Sequence, residues 1–460
     1  LSRLLSKTLE NRGLQTAIID PGKKHPPARF KDAAGLILMA PISAQSAFIL
    51  AQAAGPGLIQ NARNQKTLLA TISRIDGAFG FYGQKVSDPL QGALAGLAKT
   101  AAKEWEGVTC RAIDIEPEWQ SSQQLVQTTA DFLLGALPED PMEIGLSKKG
   151  NITLTLTEAP FYEKEISLTP NDVVVITGGG RGVTAEAAIA LGQKSSCQMV
   201  LLGRSPAPEP EPRWLVNIKD PAAMKKAILT HEFAGKNVTP KDLEQEYHKL
   251  QANREINNTL TRITATGAKA TYFRQDVRDI TALTDLFQKI RQEIGPIKGL
   301  IHGAGVLEDR LIVEKTVEQF QRVFCTKVDG LTALLDVVSN DDLKYLVLFS
   351  SVSARFGNKG QVDYAMANEV LNKIAWQQKK IRPNCKVVSI NWGPWDGGMV
   401  NSALKHEFER MRIPLIPLVE GAKSMVTELS TDINGPVEVV IGSSFEHPSG
   451  EPTSDKNVDH

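Results

Sequence analysis

The sequence predicts an α/β protein of two doubly wound halves, each a mostly parallel sheet flanked by helices. Three observations carry this expectation. The chain has 460 residues, long for one ordinary domain and ample for two. Short apolar runs alternate with helical patterns twice over, as parallel strands joined by crossover helices require. The run at residues 172–176, Asp-Val-Val-Val-Ile, is nearly continuous in Val and Ile, as expected of a strand buried on both faces.

The first half covers about residues 14–162. Strand-like runs lie at 15–20, 35–40, 67–72, 108–115 and 152–156, with the clearest helical patterns at 89–106 and 123–137. No Gly-rich turn follows its early strands, so a dinucleotide-type fold without a dinucleotide site is expected over residues 1–167. The second half, residues 168–442, has strands at 172–176, 199–202, 270–273, 299–302, 345–350, 387–391 and 437–441. A helix starts at 185–192. After the second strand the chain detours. Pro206-Ala-Pro-Glu-Pro-Glu-Pro212 excludes helix and central strand, and residues 222–233 and 240–254 read as exposed, charged helices. An insert at about 206–254 is therefore expected. Residues 443–460, polar and rich in Pro, Ser and Asp, read as a linker or tail.

Composition narrows the function classes. Hydrophobic residues make up 42% of the chain, enough for large cores. Lys+Arg and Asp+Glu both number 52, so net charge gives no pull toward nucleic acid or an acidic membrane. No run of 18 apolar residues exists, and the first residues lack an initiator Met and a signal-type apolar segment. The expectation is a cytoplasmic chain cut from something longer. Cys110, Cys197, Cys325 and Cys385 are scattered, with no His at ligand spacing, so free thiols and no metal are expected.

The chemistry begins at Thr177-Gly178-Gly179-Gly180-Arg181-Gly182-Val183-Thr184, which ends a strand and opens a helix. Glycines let backbone N–H groups approach a pyrophosphate, and the helix N-terminus adds partial positive charge. Gly203-Arg204-Ser205 ends the next strand. Arg204 has no carboxylate beside it in sequence, the first being Glu209, and a guanidinium attracts a 2′-phosphate that a carboxylate would repel. NADPH is therefore the expected cofactor.

Further on stand Lys327, Ser351 and Tyr364-Ala-Met-Ala-Asn368, with Ser351 13 residues and Lys327 37 residues before Tyr364. A converging phenol, hydroxyl, ammonium and amide can protonate a ketone while hydride arrives from elsewhere. The set resembles the Ser-Tyr-Lys-Asn tetrad of the ketoreductase domains of polyketide and fatty-acid synthases. In the wider short-chain dehydrogenase/reductase superfamily the residue four after the Tyr is usually Lys, whereas here it is Asn368. The glycine loop resembles that superfamily's Thr-Gly-x-x-x-Gly-x-Gly turn, with Thr184 in place of the last Gly. Asp276-Val277 resembles its adenine contact, and His302-Gly303-Ala304-Gly305 the segment that lines its nucleotide. In Asn391-Trp392-Gly393-Pro394-Trp395-Asp396-Gly397-Gly398-Met399, Gly393 and Pro394 would lie against the nicotinamide.

The resemblance implies two Rossmann-like subdomains, an N-terminal structural one and a C-terminal catalytic one that binds NADPH. Ser351 would hold the carbonyl oxygen and Tyr364 would deliver the proton. Lys327 would reach the ribose and pull the phenol toward phenolate. Asn368 would orient Lys327 and a water chain. Gly305-Val306-Leu307-Glu308-Asp309 resembles the Leu-Asp-Asp motif of B-type ketoreductases, and Phe356 stands where A-type enzymes carry Trp. Together they imply a 3R hydroxyl product. Trp395 and Met399 would border the acyl groove, with residues 403–411 as a lid hinged at Gly397 and Gly398. Residues 92–104 and 112–114 look like the bracing subdomain. The implied partners are an acyl carrier protein bearing a phosphopantetheine-bound β-ketoacyl group and neighbouring synthase domains such as a dehydratase or ketosynthase. The rival readings are a reductase of free small ketones and a non-catalytic nucleotide-binding scaffold.

Overall fold

The computed structural model describes residues 1–23, 27–83, 86–119, 122–136, 140–158, 164–398, 402–411 and 413–442. Five strands form the first sheet, β1 Gly35–Met39, β2 Thr67–Ser73, β3 Val108–Ile115, β4 Glu143–Ser147 and β5 Gly150–Ile152, paired in that order. Around them pack α1 Ser2–Glu10, α2 Ala44–Asn61, α3 Ala93–Glu104 and α4 Gln123–Gly135. β1 to β4 are parallel and β5 is antiparallel to β4.

The second sheet has seven strands, β6 Val173–Thr177, β7 Gln198–Gly203, β8 Lys269–Arg274, β9 Ile297–His302, β10 Tyr345–Ser351, β11 Lys386–Trp392 and β12 Glu438–Ile441. All are parallel, in the order β12-β11-β10-β9-β6-β7-β8. Chain order reverses between β6 and β9, the crevice where doubly wound sheets bind ligands. Its helices are α5 Gly182–Lys194, α6 Pro221–His231, α7 Pro240–Ala265, α8 Ile280–Glu293, α9 Val317–Val337, α10 Val352–Phe356, α11 Val362–Ile381, α12 Ser402–Arg410 and α13 Leu418–Leu429.

Three expectations are corrected. Residues 15–20 form no strand. Strand β5 stops at Ile152 instead of beginning there. The helix expected to end at Arg254 runs on as the 26-residue α7, because Ile256, Thr259 and Ile263 bury its second half while a Thr239–Asp242 capping box starts it. The Pro-rich strap is tied to this helix, Arg254 donating to the carbonyls of Leu215 and Ile218 and pairing with Glu211.

The halves share one core. Phe48 of α2 stacks on Phe320 of α9 at 4.7 Å. α3 lies so close to α11 that a Cβ on Gly96 would sit 2.7 Å from the Ala365 carbonyl oxygen. A buried charge cluster closes the same seam. Lys99 and Glu143 come from the first half, and Arg355, Glu369, Lys373 and Glu438 from the second. Lys99 bridges Glu143 and Glu369, Arg355 reaches all three carboxylates, and Lys373 lies 3.3 Å from Glu369 and 3.6 Å from Glu438. Three cations and three anions leave no net buried charge, the condition under which such groups survive burial.

Candidate active site

A cleft of about 1780 Å³ opens along the carboxyl ends of the second sheet, larger than the ~300–1,000 Å³ of ordinary ligand pockets. Its floor at one end is the glycine turn. Gly178 and Gly182 hold φ of +75° and +67°, left-handed conformations natural to glycine, and no side chain caps the N-terminus of α5. Gly178, Gly180, Arg181, Gly182 and Val183 all line the cleft. Thr184, in place of the motif's last Gly, is buried, and its room is made across the turn. A Cβ on Gly303 would sit 2.4 Å from Thr184 Oγ1.

Thr177 and His302 lie beneath this surface, both fully buried. The Ala304 N–H donates to Thr177 Oγ1 at 3.2 Å, and Thr177 Oγ1 lies 2.9 Å from His302 Nδ1. His302 Nε2 is 3.1 Å from the Lys327 carbonyl, which only accepts, so Nε2 carries the proton and Nδ1 accepts from Thr177. Burial, with Lys327 adding to it, lowers the imidazole to about 3, so the ring is neutral. These two residues support the cleft wall instead of facing into it. Gly303, Ala304 and Gly305 do face it.

At the next strand end, Gly203, Arg204 and Ser205 line the cleft, with Arg204 exposed. Tyr272 closes beneath them, its hydroxyl donating to the Ser205 carbonyl at 2.9 Å. Asp276 and Val277 reach the same wall. Asp276 is held below the usual carboxylate range chiefly by Arg278, which donates from Nε and Nη2 at 3.0 and 2.7 Å. This carboxylate of the cleft wall is therefore already engaged. Gln251, Glu255 and Ile256 of α7 complete this wall; Gln251 lies within the insert expected at about 206–254, and the other two just beyond it.

The other end brings the tetrad together. Lys327 comes from mid-α9, Ser351 from the end of β10, and Tyr364 and Asn368 from the first turns of α11. Lys327 Nζ donates to the Phe349 carbonyl at 2.8 Å and lies 5.2 Å from the centroid of the Tyr364 ring. Ser351 caps α10, its Oγ accepting the Ser353 N–H at 3.1 Å. Asn368 is fully buried. Its Nδ2 donates to the Tyr364 carbonyl at 2.9 Å, and its Oδ1 has no hydrogen-bond donor among the described residues. Below, Ser350, Asn372 and Ser389 converge with Asn391 and fasten α11 to the strands, Asn372 Nδ2 and Ser350 Oγ both donating to Asn391 Oδ1 at 3.0 Å.

The electrostatics differ from expectation. Burial pushes the Tyr364 phenol up to about 12. The Asn368 amide and the Ser351 hydroxyl oppose the rise, and the Asp309 charge adds to it. Burial brings Lys327 down to about 7. The expected depression of the phenol by a nearby ammonium is absent, because both groups are enclosed and desolvation outweighs their attraction. Asn368 bonds the helix backbone, not Lys327.

On the substrate side, Asp309 and Phe356 line the cleft, as do Gly393, Pro394 and Trp395. Trp395 packs on Trp392 with centroids 4.7 Å apart. Glu308 turns away into a two-pronged pair with Arg322 at 2.6 and 2.7 Å. Leu404 and Phe408 of α12 cover the groove, and Gly397 and Gly398, at φ +151° and +66°, form the bend before it. Met399 lies outside the described residues. Lys103, expected only as part of the bracing segment 92–104, and Lys359, in no motif, also line the cleft. Beside Tyr364, Asp363 forms a buried pair with Lys315 at 2.7 Å and accepts the Tyr364 N–H at 2.9 Å.

The glycine conformations, the uncapped helix and the cleft's size fit a nicotinamide dinucleotide with room for a second ligand. Among the described residues no group of His, Cys, Asp and Glu is placed to hold a metal, and no helix is long and apolar enough to cross a membrane.

Comparisons with known proteins agree with this geometry. Residues 173–397 match the KR domain family. The chain is 32% identical over 409 residues to one of the polyunsaturated fatty acid synthase polypeptides of Thraustochytrium sp. (strain ATCC 26185 / S-3), covering 86% of this chain and 14% of that protein. It is 27% identical over 346 residues to polyketide synthase PksL of Bacillus subtilis (strain 168), covering 74% of this chain and 7% of that protein. The chain thus spans only a small part of the relatives it matches. Among solved structures, a ketoreductase domain from the bacillaene assembly line aligns with a TM-score of 0.64 at 22% identity, over 95% of this chain and 88% of that one. A C2-type ketoreductase from a modular polyketide synthase aligns with a TM-score of 0.68 at 17% identity, over 96% and 88%. Both show the two-subdomain fold. This chain belongs to the ketoreductase (KR) domains of type I polyketide synthases and their polyunsaturated-fatty-acid relatives, nicotinamide-dependent oxidoreductases of the short-chain dehydrogenase/reductase superfamily.

Proposed function

We propose that the chain uses NADPH to reduce a β-ketoacyl thioester, tethered by phosphopantetheine to an acyl carrier protein, to the (3R)-β-hydroxyacyl thioester. One observation carries the reading. An amine, a hydroxyl and a phenol from three separate elements, Lys327, Ser351 and Tyr364, line the same cleft as the glycine turn. When bound, NADPH supplies the hydride that adds to the keto carbon. Ser351, its oxygen fixed by the Ser353 N–H, would turn its one O–H from Ser353 Oγ, 3.3 Å away, to the keto oxygen. Tyr364 holds its proton at neutral pH and gives it to that oxygen as charge develops there. Lys327, about half protonated near pH 7, returns a proton to the tyrosinate, and the unpaired Asn368 Oδ1 is the acceptor that would hold a water in that path.

Exposed Arg204 favours a 2′-phosphate and hence NADPH over NADH. Asp309 and Phe356, which line the cleft together with Tyr364, support the B-type orientation and the 3R product. The multidomain relatives support a carrier protein and adjoining synthase domains as partners.

The test is NADPH consumption with β-ketoacyl thioesters of short and long chains, carrier-bound and free, with product chirality read by chiral chromatography. Tyr364→Phe should lower kcat by about 10²–10⁴, the usual worth of a general acid. Unchanged turnover in this variant refutes the reading.

A further inference from the structure

We infer that Glu104, from the half without a nucleotide turn, is a positioning residue for the reduction and fixes the substrate-side wall of the cleft. The inference rests on the function proposed above. Glu104 ends α3, and its carboxylate spans two loops of the other half. Oε2 accepts the Ile312 N–H at 2.7 Å and Oε1 accepts the Gly360 N–H at 2.9 Å. The same loops meet each other where the Arg310 N–H donates to the Gly360 carbonyl at 2.9 Å and Gln361 Nε2 donates to Asp309 Oδ2 at 3.1 Å. From Gln361 the line continues inward. Its Oε1 accepts from Ser353 Oγ at 2.8 Å, and Ser353 Oγ accepts from Ser351 Oγ at 3.3 Å. Asp309 is therefore linked to Ser351 through two side chains, and Glu104 holds the loops that carry both ends of the Gln361–Asp309 step. Gln52 of α2 anchors one of these loops again, donating to the carbonyls of Ile312 and Lys315 at 3.0 and 2.6 Å.

The carboxylate is chemically specific here. Two backbone donors face two acceptor oxygens, and bonds from N–H to a carboxylate are about twice as strong as neutral ones. An amide at this position keeps one acceptor and turns an NH₂ toward the other N–H. Which face of the ketone meets the hydride depends on where Asp309 and Gln361 stand relative to Ser351 and Tyr364, so freeing the loops blurs that choice.

The experiment compares the full chain with Glu104→Gln and Glu104→Asp. In Glu104→Gln, kcat/KM should fall about tenfold or more, as loss of one charge-assisted bond implies. The enantiomer ratio of the 3-hydroxy product should erode by about fivefold, a change of roughly 1 kcal/mol in face selection. NADPH affinity by fluorescence titration should stay within about twofold, because nothing on the nucleotide side moves. Glu104→Asp should recover part of the enantiomer ratio. A ratio unchanged in Glu104→Gln, in a chain whose unmutated form turns over, overturns the inference alone. Absence of turnover by the unmutated chain overturns the proposed function instead. In that event unchanged hydrogen exchange at Ile312 and Gly360 in Glu104→Gln overturns the brace independently.

Discussion

Lys327 Nζ lies 5.2 Å from the centre of the Tyr364 ring, and burial drives each side chain toward its neutral form. This enclosure has a thermodynamic signature. The lysine falls from 10.5 to about 7 on folding. Between those pH values the unfolded chain binds one more proton than the folded one, so stability rises with pH, by about 1.4 kcal/mol per unit. The contribution is fully present above 10.5 and is lost as pH falls from there to about 7. Lys327→Met should flatten the slope of unfolding free energy across this window. Urea denaturation of both proteins at several pH values measures it, and identical slopes refute the assignment.

Arg204 stands exposed at the cleft edge, and Asp276, which lines the same cleft, is engaged by Arg278. Arg204→Ala should weaken NADPH binding about 10- to 100-fold, the worth of one or two charge-assisted bonds, and NADH binding by less than about twofold. Fluorescence titration with each cofactor decides it. Equal losses place Arg204 outside the phosphate site.

Arg355 touches Glu143, Glu369 and Glu438 in the buried seam. Arg355→Met leaves three carboxylates facing two lysines and should destabilise the fold by about 3–5 kcal/mol. A loss below about 1 kcal/mol in urea unfolding would mean that water reaches the cluster.

Gly303 and Thr184 are complementary across the glycine turn. Gly303→Ala places a Cβ 2.4 Å from Thr184 Oγ1, so one of them must shift. The expected cost is about 1–3 kcal/mol, as for other overpacked sites. Adding Thr184→Gly should recover most of it. A double-mutant cycle with no coupling between the two positions contradicts this packing.

The second sheet was legible because its central strands are buried on both faces. A run such as Val173–Thr177 has no polar alternation to confuse it, and most of the strands end in a motif whose chemistry names their place. In the first sheet β2 and β3 were legible for the same reason, and β1 by its short apolar run. β4, beside the edge strand β5, was not, because Glu143–Ser147 is a short strand interrupted by Gly145 and carrying buried Glu143. The run at 15–20 has strand-like residues but pairs with neither sheet, a case of tertiary context overriding local propensity.

Motif spacing placed Ser351, Tyr364, Lys327 and Asn368 together but said nothing of their charge states, which depend on enclosure. Gln52 and Lys315 were invisible, and Glu104 was seen only as part of the bracing segment 92–104, because each acts across more than a hundred residues of sequence or pairs with a partner fixed only by the fold. The wall built by Gln251 and Glu255 was hidden by the charged surface of α7. Exposed and buried faces share one helix there, and the polar majority masked the buried Ile256 and Ile263.

The six-residue charge cluster bears on how such a chain can be recombined with its relatives. Lys99 and Glu143 cancel within the first half, and Arg355 and Lys373 cancel Glu369 and Glu438 within the second. A crossover between the halves therefore leaves each retained set neutral, and the seam stays balanced when the donor's set is neutral too. A single exchange inside either group strands an odd charge, so viable chimeras should be joined between the two sheets and inherit each set whole.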